Sequence, residues 1–370
     1  MMRKTALIAS PALWAYGHGG SHPLRPVRLK MTVELLQAYG AFDGLASRLV
    51  EPRMATEEEL ALWHTPEYIT AVKRLTEGDS SISAWKYRLG TGDNPIFPHM
   101  YETEALKAGA SLLGAEMLIR GEVDVAFSIG GGLHHAMANY ASGFCVFNDA
   151  AIAIRWLMAQ GKRVVYVDID AHHGDGVQAA FDHTDRVMTI SLHESGKFLF
   201  PGSGFVNELG QGAGRGYSLN LPLFPYTTDD LYLEAFARVV MPAIDRFMPD
   251  ILVTQLGTDA HFQDPLAHLK LTTHAYTHML QRFRALNLPW LALGGGGYNV
   301  QVVARIWANA YGIMSDRLLP DEIPASWAEQ YGPTHLHDRE TPQIGRRERA
   351  AAREYAETQI AELERLLGKL

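Results

Sequence analysis

A single cysteine, Cys145, is all the thiol chemistry the 370-residue chain possesses. That excludes an intrachain disulfide framework and a thiolate-rich metal site, and it fits a reducing compartment. Long apolar runs are missing as well. The N-terminal "MMRKTALIASPALW" is too short and is broken by Pro11 for a signal peptide, and no other stretch is long enough to span a bilayer. There is no long basic run, and the formal net charge is −8, so neither nucleic acid nor an anionic membrane is an expected partner. A cytoplasmic location follows as the default. No internal repeat is present, and the composition carries no mark of a particular oligomeric state.

Apolar residues are abundant, at 47%, enough for a large buried core. Runs of strand length alternate with segments of helical period, the pattern of a parallel sheet covered by helices on both faces. Strands are expected in "TALIAS", "VDVAFSIG", "RVVYVDID", "VMTISLH", "DILVTQLG" and "WLALGG". "NDAAIAIRWLMAQG" reads as a helix capped by Asn148 and stopped by Gly161, and "TTDDLYLEAFARVVMPAIDRF" as one that begins with acidic residues at its positive dipole end. Residues 316–345, rich in Pro and polar residues, read as an extended wrap or linker. They precede a charged helical segment in which Ile360, Leu363 and Leu367 share a face. That stripe is short for a coiled coil, so a helix docked on its own domain is preferred to an oligomer contact. Two loop-rich stretches, 16–26 and 78–98, hold aromatic, His, Asp and Gly residues suited to a pocket rim, although such loops alone carry little weight.

Charge gathers where buried strands end. In "VVYVDIDAHHGDG" side chains alternate, so Asp168 and Asp170 point the same way, with His172 in reach. Two buried carboxylates side by side are costly unless something positive lies beside them. A Zn²⁺-type cation, which accepts oxygen and imidazole nitrogen, is the simplest partner. Its third ligand is best sought in Asp259, at the end of "ILVTQLGTDAH". The pattern recurs: "VAFSIGGGLHHA" delivers His134 and His135, and "LALGGGGYN" delivers Tyr298. Taken singly, these features read as caps, structural histidines and a tight turn. Together, at the carboxyl ends of parallel strands, they point to one crevice. The tetraglycine lacks the Lys and Ser/Thr of a phosphate loop and the spacing of a dinucleotide fingerprint.

These segments resemble the histone deacetylase family, and more closely its class I-like and bacterial acetoin-utilisation branch than the ureohydrolases that share its fold. The likeness spans residues 16–315 and carries "HPLRPVR", "GDNP", "GGLHHA", "SGFCVFND", "VDIDAHHGDGVQ", "SLHES", "FPGSG", "QLGTDAH" and "LGGGGY" in family order. It implies an α/β fold of the arginase/deacetylase type, a single domain with an eight-stranded, mainly parallel sheet and helices on both faces. Residues 1–315 would form the catalytic domain, with 316–370 a wrap and helix packed on it.

Carried over residue by residue, the resemblance implies zinc ligands at Asp170, His172 and Asp259. It implies His–Asp pairs of His134 with Asp168 and His135 with Asp175, and a carbonyl-polarising Tyr298. Gly143, Phe144 and Phe200 would wall an acyl-lysine tunnel, Asp93 would grip the substrate backbone at its rim, and Arg28 would stand near an internal cavity. Leu266 holds the position where polyamine-selective relatives carry a glutamate. A structural K⁺ is implied near Asp168, Asp170, His172, Ser191 and Leu192, and a second near Phe181, Thr184, Val187 and Tyr217.

The expected activity is metal-dependent removal of acetyl or another short acyl group from lysine side chains of proteins or peptides. One Zn²⁺ would serve, with Fe²⁺ the alternative in the cell. Acetylated polyamines or other small amides are the alternative substrates. A binuclear ureohydrolase is less favoured, because "GGLHHA" stands where that enzyme needs a metal-binding G-x-D-H-S and Asp264 follows Asp259 only after five residues. A non-catalytic acyl-lysine binder is less favoured too, because binding alone requires no proton shuttle.

Overall fold

The apolar runs become the middle of one sheet. The computed structural model describes residues 3–368. Its strands are β1 (Thr5–Ile8), β2 (Ser47–Val50), β3 (Val125–Ser128), β4 (Val164–Asp168), β5 (Val187–Glu194), β6 (Ser218–Leu223), β7 (Ile251–Gln255) and β8 (Trp290–Leu293). They form an eight-stranded sheet, all parallel, in the order β2-β1-β3-β8-β7-β4-β5-β6. All six strands expected from the sequence form. The two without a sequence signal, β2 and β6, are the sheet's edges. β2 is short and half-exposed, and β6 contains Asn220 and Pro222, so neither shows the uniform apolar run of a strand buried on both faces.

Alternation along β4 divides the core. Val165 and Val167 join a large cluster under the helices Val27–Ala38, Asp229–Phe247, Thr273–Ala285 and Val300–Met314. Val164 and Tyr166 face the opposite cluster, under Met100–Ile119 and Asp149–Ala159. The two helices expected from sequence lie at Asp149–Ala159 and Asp229–Phe247, and Asn148 accepts from Ala151 N at 2.9 Å as the N-cap. No helix among the described residues is long and apolar enough to cross a membrane.

The segment read as a plain wrap contains a short helix, Ala325–Tyr331, anchored by the buried Trp327. The final helix, Arg346–Leu367, buries Ala352, Ala356, Ile360 and Leu363 against β6 and the helix Asp229–Phe247. Between them Asp338 joins the segment to the core. It meets His261 Nε2 at 2.8 Å and Arg305 at 2.9 Å, and it accepts from Thr273 N at 2.8 Å. Replacing Asp338 by alanine would leave the buried Arg305 charge without its carboxylate. A stability loss of about 3–5 kcal/mol is expected in denaturant unfolding, and a loss under ~1 kcal/mol would show the junction to be dispensable.

Candidate active site and metal centre

β3, β8, β7 and β4 are consecutive in the sheet, so the loops leaving their carboxyl ends meet. From β4 come Asp170 and His172, and from β7 comes Asp259, with ligand atoms all within 4.8 Å of one another. The three residues are buried. His172 Nδ1 lies 3.1 Å from Asp170 Oδ1 and 3.0 Å from Asp259 Oδ2. The opposite oxygens are held from behind: Asp170 Oδ2 accepts from Gln255 Nε2 at 2.6 Å and Gly296 N at 2.8 Å, and Asp259 Oδ1 accepts from Ala171 N at 2.7 Å. Gly257 and Gly296 make this approach possible, since a Cβ at either would collide with these carboxylates.

Two carboxylates and an imidazole, aimed at one point and braced by backbone and amide donors, suit a single divalent ion of the Zn²⁺ or Fe²⁺ type. The electrostatics agree. Burial and the neighbouring Asp170 push Asp259 up to about 7. Against the same effect of burial, the His134 and His172 imidazoles hold Asp170 well below the ordinary carboxylate range. Burial and Asp170 thus disfavour a second ionised carboxylate here, a cost that a cation between the two would relieve. Among the described residues no other group of three His, Cys, Asp or Glu side chains gathers in this way.

The loop after β3 presents the histidine pair. Asn148 Nδ2 donates to the carbonyls of His134 and Ala136 at 3.2 and 3.1 Å, while Asp149 accepts from Gly132 N at 3.0 Å and Leu133 N at 2.8 Å. The "FND" that begins a helix therefore also holds this loop. His134 Nδ1 meets Asp168 Oδ2 and His135 Nδ1 meets Asp175 Oδ1, each at 2.7 Å, and the two Nε2 atoms face each other at 3.0 Å. Their environments differ. Burial alone lowers His134, but the charges of Asp168 and Asp170 outweigh it and raise the imidazole to about 9. Burial, reinforced by the charge on His134, lowers His135 to about 4. One imidazole is thus kept charged and its neighbour neutral, the division of labour expected of an acid–base pair.

A cavity of about 230 Å³ leads from the surface to these groups. Gly143, Phe144, Leu199, Phe200, Leu266 and Tyr298 line it, with His135 and His172 at depth and the exposed Asp93 at its rim. Phe144 takes a left-handed backbone, φ 68°, which sets its ring edge-on to His22 at 4.5 Å and to Tyr298 at 5.8 Å. Burial, then the charges of Asp259 and Asp170, push the Tyr298 hydroxyl well above its usual range, so it remains a proton donor. A small space of about 20 Å³ continues inward past Gly132, His134 and Gly295. Beneath it the buried Arg28 donates to Gly295 O at 2.6 Å and stacks on Trp307.

A model of the histone deacetylase domain matches residues 22–314. The chain belongs to the histone deacetylase family. It is 40% identical over 341 residues to the acetoin utilization protein AcuC of Bacillus subtilis (strain 168), covering 89% of this chain and 88% of that protein. AcuC of Staphylococcus aureus (strain MSSA476) is 39% identical over 337 residues, covering 89% and 86%. The crystal structure of an HDAC homolog from Aquifex aeolicus matches with a TM-score of 0.86 at 32% identity, over 96% of this chain and 100% of that one. An HDAC homolog complexed with SAHA matches to the same extent.

In this member of the histone deacetylase family the two groups of residues expected from the sequence to hold K⁺ lie beside β5 or on it. Asp168 pairs in register with Ser191, and Leu192 follows. At the other end of β5, beside Val187, the Thr184 N–H donates to Phe181 O at 3.2 Å and the Tyr217 carbonyl accepts from Thr189 N at 2.8 Å.

Four residues that sequence reasoning missed support the centre. Gln255 braces Asp170, the Tyr166 hydroxyl donates to Asp168 at 2.7 Å, Asp149 holds the glycine loop, and Asp264 accepts from Leu266 N at 2.9 Å and Tyr298 N at 2.8 Å. Alternation along β4 places Tyr166 on the Asp168 side, a usable signal. A lone buried Gln or Asp has none. His173, without an expected role, joins Ser203 Oγ at 2.9 Å to Gln178 Oε1 at 3.1 Å.

Proposed function

We propose that the protein is a metal-dependent hydrolase that removes acetyl groups from lysine ε-amines of proteins or peptides in the cytoplasm. The observation that carries this reading is the meeting of two His–Asp pairs beside a three-donor ligand cluster at the end of an apolar tunnel. Asp170, His172 and Asp259 would hold one Zn²⁺, with Fe²⁺ the cellular alternative. When bound, such an ion supplies Lewis acidity, lowering the pKa of a water from about 15.7 to about 7 and polarising the acyl carbonyl.

The chain's own groups do the rest. His135 Nε2, oriented by Asp175, takes a proton from the attacking water and returns it to the lysine amine as the amide C–N bond breaks. His134, held by Asp168, provides positive charge 3.0 Å away. Tyr298 donates a hydrogen bond to the developing oxyanion. Gly143, Phe144 and Phe200 sheathe the lysine methylenes and keep bulk water out, and Asp93 accepts from the substrate backbone at the rim. The first of the two K⁺ groups would set the depth of Asp168 and Asp170, and the second, at the far end of β5, is a structural site.

Specific observations favour this reading over its competitors. Leu266 offers no carboxylate to a distant ammonium, which disfavours polyamines. Asp264 uses both oxygens on backbone N–H groups, leaving it poorly suited to bridge a second ion. Tyr298→Phe is the test. It should lower kcat on an acetyl-lysine peptide by about 10²–10³-fold with an unchanged unfolding midpoint, as for loss of one oxyanion donor. Turnover within about three-fold of the parent would remove Tyr298 from the mechanism.

A further inference from the structure

Beside the tunnel mouth runs a second cavity, about 460 Å³, that shares Asp93, Gly143 and Phe200 with it and adds Trp85, Arg88 and Ser142. Most of its lining belongs to the loop 78–98, whose role the catalytic reading leaves open. Trp85 is 80% exposed, an indole spread on the surface with nothing covering it. Arg88 sits in the left-handed region, φ 54°, with its guanidinium 4.0 Å from the ring centroid of Tyr140. No described carboxylate comes within 4.0 Å of that guanidinium, whereas the neighbouring Lys86 is already matched by Glu67 at 2.6 Å. The loop is firmly held. Tyr87 between these residues is buried, its carbonyl accepts from Ala141 N at 3.0 Å, and Gly90 N donates to Asn94 O at 2.8 Å.

We infer that this groove binds the polypeptide flanking the acetyl-lysine, with Trp85 covering an apolar part of it and Arg88 selecting a carboxylate side chain next to the modified residue. The inference rests on the deacetylase reading and names the substrate class: an acetyl-lysine within an acidic stretch of protein. Charge complementarity decides the occupant. The groove holds one carboxylate, Asp93, suited to the N–H groups of a substrate backbone, and one cation without a carboxylate partner, Arg88, whose charge a neutral backbone does not balance. A small acetylated amine would enter the tunnel and leave both Trp85 and Arg88 bare. A guanidinium fixed by stacking is a preorganised carboxylate receptor, because little side-chain freedom remains to be lost on binding.

The test compares acetyl-lysine peptides that differ only in flanking residues (Glu, Ala or Lys) with a blocked acetyl-lysine amide that has no flanks. The parent protein should favour the Glu peptide over the Lys peptide by up to about five-fold in kcat/KM, mainly through KM and less at high salt, as for a partly exposed ion pair. Arg88→Glu should invert that ratio, which is measured within one preparation and so is insensitive to partial unfolding. Trp85→Ala should raise KM for all peptides by roughly five-fold, as for an exposed aromatic anchor. Equal rates on Glu and Lys peptides, with no change in Arg88→Glu, would overturn the groove assignment while turnover of the blocked amide still upheld the deacetylase. Failure to cleave either peptides or the blocked amide would overturn both.

Discussion

Asp259→Asn should leave a folded protein that neither retains a divalent ion nor turns over an acetyl-lysine peptide. The substitution is isosteric, yet an amide cannot replace the anionic ligand. Asp259 Oδ1 receives Ala171 N–H and Oδ2 faces His172 Nδ1, so an asparagine must turn its NH₂ group toward a donor or toward the ion position. Either choice removes an anionic ligand, and with two donors left a catalytic ion is not held. Activity is expected to fall by more than about 10⁴-fold, beyond what loss of one oxyanion donor explains. The fold should not suffer. Burial and Asp170 disfavour the ionised Asp259 in the metal-free protein, so removing that charge should leave the metal-free unfolding temperature equal to or above that of the parent. Metal analysis and thermal unfolding of the same sample check both halves.

The second large effect belongs to His135. Alanine there removes the imidazole that Asp175 orients and should lower kcat by up to about 10⁴-fold, the range of a lost general acid–base. Metal content should remain at the parental level, because His135 supplies no ligand atom to the cluster. A stability cost of about 1–3 kcal/mol is expected, since the half-buried Asp175 keeps only its own turn's Gly176 N–H as a donor. The deficit should narrow on an activated aryl acetate, whose leaving group departs without a proton. An equal deficit on both substrates would place the role of His135 in positioning instead of proton transfer.

These expectations were partly legible in the chain itself, for a physical reason. Strands buried on both faces must be apolar throughout, so "VVYVD" and "ILVTQ" announce themselves, and charge placed at their tips stands out against that background. Edge strands escape this pressure. β6 is recognised only once its neighbours exist, because Pro222 and Asn220 are tolerated where one side of the strand is free. The same logic divides the site. Asp170, His172 and Asp259 form a pattern because ligands come in sets, and the family resemblance fixes the pairing of His134 and His135. Gln255, Asp149 and Asp264 act through hydrogen bonds to backbone or ligand across 85, 17 and 34 positions, which no local spacing encodes. Trp85 and Arg88 lie in a loop whose composition resembles that of many surface loops, and only the cavity beside the tunnel gives them meaning.

The most direct measurement is a metal titration of the stripped protein, following hydrolysis of an acetyl-lysine peptide alongside bound metal. Activity should be absent without metal, rise linearly with added Zn²⁺ or Fe²⁺ and level off at one ion per chain, with Asp170→Asn and Asp259→Asn unable to follow. Hydrolysis that survives stripping, or that levels off only at two ions per chain, would contradict a single-ion deacetylase centre.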